Sequence, residues 1–210
     1  RSVHRLRGIL WLVLAAAAAV IWVRPELAGD NEQSRLAASS MRQHVLLTLP
    51  QDRYRAELFA ELQPVDVPDC QMVRLGSPRD GGYLMCGNMI AAGESGYSYG
   101  IDGQDDWGCA VTAAAEIPIH QYDCYNTTVP QCARGPTRFH DECVGPERDV
   151  LNGRPFDTMA NQIHKNGDTG KRLIVKMDVE GSEWRSLAAA PDHVLEAIDQ
   201  MAVEFHGVEE

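Results

Sequence analysis

Several common motifs are missing from this 210-residue chain, and each absence argues against a kind of site. Without Gly-x-Gly-x-x-Gly, a dinucleotide oxidoreductase is disfavoured. There is no Cys-x-x-Cys, and Cys124, Cys132 and Cys143 are spaced by eight and eleven positions, unlike a zinc knuckle. No metal site is therefore predicted. The chain also lacks Asp-x-Asp, the pair with which a glycosyltransferase grips a metal–diphosphate.

Positive charge is also scarce. Nineteen Lys and Arg residues face thirty Asp and Glu residues, giving a formal net charge of −11. Nucleic acid is therefore not expected as a partner, because phosphate binding requires a basic footprint. A small charged cofactor is not excluded, since local groups hold it. With 44% hydrophobic and 23% charged residues, the composition is typical of a globular protein large enough for one core.

The amino terminus carries an uninterrupted apolar run. Gly8 to Val23 contains no charged residue, and Arg1, Arg5 and Arg7 precede it. A basic segment before an apolar run is typical of a signal peptide or signal anchor, and a buried core helix is the alternative. We favour an anchor over residues 1–24, a stem with helical segments over 25–68, and a lumenal domain over 69–210. This segment would then be the membrane contact of a single-pass protein in the Golgi or endoplasmic reticulum, or of a secreted one if it is cleaved.

The cysteines favour the same compartment. Six are present, and a pair among Cys124, Cys132 and Cys143 is a plausible disulfide whose partners the sequence leaves open. The tripeptide Asn126-Thr127-Thr128 is an acceptor pattern for N-glycosylation. Both features predict a disulfide-bonded glycoprotein of the secretory pathway.

From Met72 onwards, short apolar runs alternate with helix-like segments. Two strands are predicted around Pro78 to Gly82. Further strands are predicted at 96–101, 117–123, 137–145, 172–178 and 201–206, and helices at 109–116, 156–166 and 182–200, the last interrupted at Pro191. This alternation predicts an α/β fold with a parallel sheet.

Acidic residues and glycines follow several predicted strands. Gly100 and Gly103 allow a tight turn after the first, Asp123 ends the second, and Asp178 ends the fourth. An acid about twenty residues after a glycine loop is suited to binding a ribose diol. Because ligands of open parallel sheets bind at the carboxyl ends of the strands, these positions predict a nucleoside site.

Five segments together resemble a known family. RDGGY at 79–83, YSYGI at 97–101, YD at 122–123, VKMDVEGSEW at 175–184 and VEFH at 203–206 are similar to the FkbM-like and methyltransferase-like S-adenosylmethionine-dependent methyltransferases, in their membrane-anchored lumenal branch. The resemblance covers about residues 70–210. It implies a class I methyltransferase fold, a Rossmann-like doubly wound sheet, here preceded by the N-terminal hydrophobic helix. The last two strands of that fold are missing before Glu210, which predicts a partial sequence.

The resemblance also implies roles for individual residues. The expected contacts with S-adenosyl-L-methionine are Gly100, Asp102 and Gly103 for the methionine part, Asp123 for the ribose, Asp141 or Glu142 for the adenine, and Asp178 near the transferred methyl. Asp178, Glu180 and His206 are the catalytic candidates, with His206 as general base toward a hydroxyl nucleophile. The glycine loop departs from the acid-x-Gly-x-Gly-x-Gly pattern usual in these enzymes.

The expected function is O-methylation of a glycan, or of another small-molecule or secretory-pathway acceptor. A catalytically silent lumenal binding domain is one alternative, which the irregular glycine loop favours. A type II membrane glycosyltransferase is another, since its anchor, stem and lumenal domain follow the same order. The acidic group Asp102, Asp105 and Asp106 is interpreted as a solvated loop, with metal binding as the lesser alternative.

Overall fold

A computed structural model describes residues 10–13, 19–23, 60 and 62–207 of the chain. The strands are β1 (Leu10–Val13), β2 (Ala19–Val23), β3 (Met72–Gly76), β4 (Gly82–Cys86), β5 (Ser95–Tyr99), β6 (Ile119–Tyr122), β7 (Thr137–His140), β8 (Cys143–Val144), β9 (Asp149–Leu151), β10 (Arg154–Asp157), β11 (Leu173–Met177) and β12 (Ile198–Glu204). The α-helices are α1 (Asp106–Ala115), α2 (Met159–Lys165), α3 (Glu183–Ala189) and α4 (Asp192–Leu195), and a 3-10 helix spans Gly87–Ala92.

Five strands of the seven-stranded main sheet are parallel and lie in the order β7-β6-β5-β11-β12. The chain adds β6 and β7 on one side of β5 and then returns to place β11 and β12 on the other. The strand order therefore reverses between β5 and β11, and their carboxyl ends form the crevice where open α/β sheets bind ligands. The predicted mixed α/β fold with a parallel sheet is confirmed and is compatible with a Rossmann-like arrangement.

Both faces of this sheet are covered. Alternate residues of β11 point to opposite sides: Leu173, Val175 and Met177 pack into one apolar cluster, and Ile174 packs into another. The first cluster includes apolar residues of α2, α3 and α4. The second includes residues of α1, the β3–β4 hairpin and the 3-10 helix. Burial on both faces explains why β11 reads as an almost continuous apolar run.

Most of the predicted elements are present. The hairpin of β3 and β4, the strands β5, β6, β11 and β12, and the helix α1 lie close to where the pattern places them. The single strand predicted at 137–145 is instead two, because β7 ends at His140 and β8 belongs to a different sheet. The predicted helix at 156–166 begins only at Met159, because Phe156 and Asp157 belong to β10. Strand β12 begins at Ile198, inside the segment predicted as helix. The small sheet of order β8-β10-β9 was not predicted.

The apolar amino-terminal segment differs from the helix expected there. Where the structure describes it, at Leu10–Val13 and Ala19–Val23, the backbone forms two antiparallel strands, and β2 pairs antiparallel with β12. Both segments are rich in β-branched and aromatic residues, and the edge of β12 offers unpaired backbone groups. The signal-anchor interpretation of residues 1–24 stays a prediction, and most of the stem at 25–68 lies outside the described residues. Over the described ranges, no helix combines the length and apolar character that crossing a membrane requires.

All six cysteines form disulfides: Cys70–Cys86, Cys109–Cys132 and Cys124–Cys143. The prediction of a pair among Cys124, Cys132 and Cys143 is confirmed. The Cys124–Cys143 bond ties the exit of β6 to β8, and the Cys109–Cys132 bond ties α1 to the β6–β7 connection. Three disulfides in one domain indicate an oxidising secretory or extracellular environment.

Candidate functional site

The candidate site lies at the carboxyl ends of β5 and β11, where the strand order reverses. Gly100 follows β5 with φ +72°, and a Cβ there would collide with the carbonyl oxygen of Asp178. The Asp178 backbone N–H donates to the Tyr99 carbonyl at 3.1 Å. Glycine is therefore required at position 100 by both backbone conformation and close approach. The structure brings Gly100 and Asp178 into contact.

Asp123 fixes the loop after β5. Its Oδ2 accepts from the backbone N–H groups of Ile101 at 3.1 Å and Asp102 at 2.8 Å. Its Oδ1 accepts from the backbone N–H groups of Tyr125 at 2.8 Å and Asn126 at 3.1 Å. A carboxylate has about four lone-pair positions, and backbone donors among the described residues fill all of them. In this conformation the predicted contact of Asp123 with a ribose would require one of these bonds to be replaced.

Asn126 reinforces the same loop. Its side-chain amide donates at 2.9 Å to both the carbonyl and the carboxylate of Asp102. A Cβ at Gly103 would press against the Asn126 side chain, so this glycine too is matched to its surroundings. The nitrogen that a glycan would occupy is thus engaged in holding the predicted cofactor loop. Glycosylation at Asn126 stays a prediction.

The acidic group after the loop is not the solvated cluster that the sequence indicated. Asp105 is buried and caps α1, since its Oδ1 accepts from the Gly108 N–H at 2.8 Å. The same carboxylate accepts from the Ser98 hydroxyl at 2.9 Å and from the Gln121 amide at 2.8 Å. The interpretation as a solvated loop was therefore wrong for Asp105, whose role is to join α1 to two strands.

Gly96 to Gly100 has the Gly-x-Ser-x-Gly spacing of a hydrolase nucleophile elbow, a match that the sequence interpretation overlooked. The structure does not fit that motif. Ser98 lies within β5, is fully buried, and donates its hydroxyl to Asp105. A nucleophile elbow instead exposes its serine on the turn after the strand. Ser98 is a packing residue in this fold.

Beneath the loop lies a buried lysine, Lys176. Its ammonium group donates to the carbonyl of Tyr99 at 3.2 Å and to that of Gly100, and it lies 3.5 Å from the Asp178 carboxylate. Burial lowers the pKa of Lys176, and the charges of Asp178 and Asp105 oppose that effect. Tyr83 donates its hydroxyl to the same Asp178 oxygen, Oδ2, at 2.8 Å. Lys176 and Tyr83 together hold the Asp178 side chain, which is 21% exposed, at the rim.

A carboxylate–histidine pair lies beside Asp178. Glu183, in the first turn of α3, is fully buried, and its Oε1 lies 3.0 Å from Nδ1 of His206. The same carboxylate accepts from the backbone N–H groups of Val179 at 2.9 Å and Gly181 at 3.1 Å. Burial alone would lower the pKa of His206, but the hydrogen bond and charge of Glu183 raise it above its usual range.

Two more carboxylates face this histidine. Its Nε2 is 3.5 Å from Glu180, whose side chain is 86% exposed, and 3.9 Å from Glu204. Burial and the charge of Asp178 raise the pKa of Glu204 above its usual range. The rim is therefore acidic, and it suits a ligand that carries positive charge.

Asp178, Glu183 and His206 each offer a ligand atom within 4.8 Å of the others. Such a spacing also occurs around divalent ions. Here, however, Glu183 is saturated by backbone donors and by the His206 ring, so the group as it stands is a hydrogen-bonded pair with a neighbouring carboxylate. A metal centre is not assigned.

The two residues expected near an adenine lie farther along the edge. Asp141 is exposed after β7, whereas Glu142 is tied to α2 through Lys165 at 2.9 Å and Gln162 at 3.1 Å. Of the predicted residues, the structure brings together Gly100, Asp178, Glu180 and His206, with Asp102, Gly103 and Asp123 in the adjoining loop. Glu142 lies in the segment after β7, next to the Asp123 loop through the Cys124–Cys143 bond, and its carboxylate is engaged by α2.

Glu183 lies within the quoted segment VKMDVEGSEW but was not among the predicted site residues. A usable signal was its place in the first turn of α3, from which a side chain reaches back to the preceding N–H groups, as in a capping box. Comparison with family models, curated proteins and solved structures finds no match to this chain.

Proposed function

We propose that this chain is an S-adenosylmethionine-dependent methyltransferase of class I fold that methylates a hydroxyl group of a glycan or another secretory-pathway acceptor. The observation that carries this proposal is the contact between Gly100 and Asp178 at the reversal of strand order, on the acidic edge of a parallel sheet. The quoted motifs around these two residues support the cofactor, and the three disulfides support the compartment.

The site residues fit this cofactor in part. S-adenosylmethionine supplies a methyl group on a cationic sulfonium, and the carboxylates of Asp178, Glu180 and Glu204 lie where such a charge is favoured. Gly100 lets the loop after β5 pack against the Asp178 backbone. Tyr83 and Lys176 both contact Oδ2 of Asp178, and the bonds recorded for the described residues leave Oδ1 for a ligand. His206 stands at the same rim as the candidate proton acceptor. Alignment of the acceptor with the methyl group is the main remaining requirement of this chemistry.

A catalytically silent lumenal domain is the second candidate. The four backbone hydrogen bonds to Asp123 favour it, because they occupy the carboxylate expected to hold the ribose. Such a domain would keep the fold and bind no cofactor.

Calorimetric titration of S-adenosylmethionine into the full chain in detergent tests the proposal. We expect saturable binding that Asp178→Asn weakens about 10-fold, because the substitution removes a charge at the rim. Asp192→Asn is the matched control, since it makes the same change at an exposed position in α4, before the amino end of β12, and its affinity should equal that of the wild type.

A thermal melt of each variant verifies that it is folded. Absence of binding by a folded wild-type chain would contradict the proposal and favour the silent domain. A titration with a nucleotide sugar would then separate that domain from a glycosyltransferase.

A further inference from the structure

The hydrogen-bonded pair of Glu183 and His206 is held in place by burial and by further hydrogen bonds. Glu183 is fully buried in α3 and bonded to two backbone N–H groups of the turn after β11. The carboxylate therefore has one fixed position. Its Oε1 meets His206 Nδ1 at 3.0 Å, which fixes the orientation of the imidazole ring.

His206 is held from its backbone as well. Its carbonyl accepts from the indole N–H of Trp184 at 2.9 Å, and the Trp184 ring stacks on Phe205 with centroids 4.0 Å apart. The helix that carries Glu183 thus also carries the residue that anchors the chain at His206. Two adjacent side chains of α3 determine where this histidine lies.

The other ring nitrogen is left toward the open side of the site. The His206 side chain is 28% exposed. In the described part of the chain, the ion pairs recorded for Nε2 are with Glu180 and Glu204, whose side chains are 86% and 40% exposed. Nδ1 is occupied by a carboxylate, so the neutral ring carries its proton on Nδ1 and a lone pair on Nε2. A carboxylate that fixes the tautomer and stabilises the charged ring is the arrangement found in hydrolytic triads.

We propose that Glu183 is a positioning residue that holds His206 with Nε2 ready to accept the proton of the acceptor hydroxyl. This inference rests on the proposed methyltransferase function. In the step, the hydroxyl oxygen forms a bond to the methyl carbon and the carbon–sulfur bond breaks. The electron pair remains on sulfur, and the hydroxyl proton passes to Nε2. The products are a methyl ether, a neutral thioether and an imidazolium facing Glu183.

The charges around His206 determine the expected pH dependence. Glu183 from α3, Glu180 and Asp178 from the exit of β11, and Glu204 from β12 all favour the protonated ring. The free base, which is the active form, therefore becomes populated only above the usual His pKa of about 6.5. We expect the rate of methyl transfer to rise with pH through this region.

The first test observes His206 without any acceptor. Nitrogen-15 NMR of the full chain, labelled at histidine and purified in detergent, reports the tautomer and the pKa, and His206→Asn assigns the signal. We expect the Nδ1–H tautomer at high pH, and a lower pKa for His206 in Glu183→Gln. An Nε2–H tautomer, or an unchanged pKa in Glu183→Gln, would overturn the proposal.

The second test measures turnover with tritiated S-adenosylmethionine and p-nitrophenyl glycosides as the hydroxyl acceptors. Glu183→Gln should lower the rate at least about 10-fold and shift its rise to lower pH, with unchanged affinity for S-adenosylmethionine. In a His206→Asn background the same substitution should have no further effect on the rate, whereas a loss of thermal stability should persist.

Asp168→Asn is the matched control, because it neutralises a buried, hydrogen-bonded carboxylate beside the start of β5, at the opposite end of the sheet, and should change neither the rate nor the pKa of His206. Equal rate losses from Glu183→Gln with and without His206 would overturn the positioning role. Failure of S-adenosylmethionine to bind the wild type would instead reject the proposed function, and calorimetry distinguishes the two results.

Discussion

Gly100 lies in the candidate site and has a backbone geometry that requires glycine. Its positive φ and its contact with the Asp178 carbonyl both exclude a side chain. Lys176 adds a hydrogen bond to the Gly100 carbonyl from beneath. The turn is thus held by strand β11 itself, and a change at this one position would displace the residues at the reversal of strand order.

Replacing Gly100 with alanine should lower the free energy of unfolding by about 3 kcal/mol, because a left-handed alanine costs about 1 kcal/mol and the collision adds to it. Gly153→Ala is the matched control. Its φ is +79°, and a Cβ there meets nothing within 4 Å, so only the conformational cost should remain. Urea unfolding of both variants measures the difference, and equal losses would show that the contact with Asp178 is unimportant.

Three acidic residues around the site have the same kind of environment, which their sequence positions do not predict: Glu183, Asp123 and Asp105. Each carboxylate is buried and accepts hydrogen bonds from backbone N–H groups of a loop or a helix start. A buried carboxylate is retained only when such donors surround it. The three buried carboxylates therefore stabilise the loops and helix starts around the site. The more exposed carboxylates of Asp178, Glu180 and Glu204 are the ones placed to contact a ligand.

Among the elements, α1 is the helix nearest to the predicted cofactor loop. It begins at Asp106, directly after the loop, and its residues Trp107 and Val111 pack into the second apolar cluster. Asp105 bonds the helix start to Ser98 of β5 and Gln121 of β6. The cap thereby links the position of α1 to the two strands whose ends line the site.

Asp105→Ala should lower the free energy of unfolding by about 3 kcal/mol, since it removes a cap worth about 1 kcal/mol and leaves buried donors unpaired. Asp106→Ala, one residue later, removes only an exposed contact with Gln104 and should cost well under 1 kcal/mol. Chemical denaturation of the two variants provides the comparison. Similar values for both would mean that Asp105 is not the cap described.

At the scale of the whole molecule, the Cys109–Cys132 and Cys124–Cys143 disulfides join elements that strand pairing alone does not connect. Cys124–Cys143 fastens the exit of β6 to the small sheet of β8, β10 and β9, whose two outer strands are only two and three residues long. Strands this short have little stability of their own. The small sheet therefore depends on this bond and on its packing for its position.

Replacing Cys124 and Cys143 together with alanine should lower the free energy of unfolding by about 3 kcal/mol, because the bond closes a loop with a sequence separation of 19 residues. Thermal melts of the variant and the wild type measure the change. Peptide mapping without reductant should recover the three pairs described above. Free thiols or exchanged partners would contradict this arrangement.

The order of strands and helices follows from short segments of sequence, because apolar periodicity and turn residues act locally. The run Leu173–Met177 and the motif around Asp178 predict a buried strand ending in a site, and the cysteine content predicts disulfides. The small sheet was missed because Phe156 and Asp157 lie in a segment whose composition also suits a helix.

The positions of side chains between distant segments depended on the tertiary structure. Asp123 and Asp178 both follow a strand in the sequence. The Asp123 carboxylate accepts from backbone donors of its own loop and of the loop after β5, whereas the Asp178 carboxylate is partly exposed. Glu183 meets His206 only because β12 lies beside β11 in the sheet. Such contacts join residues over twenty positions apart, and no local pattern encodes which donors will surround a given carboxylate.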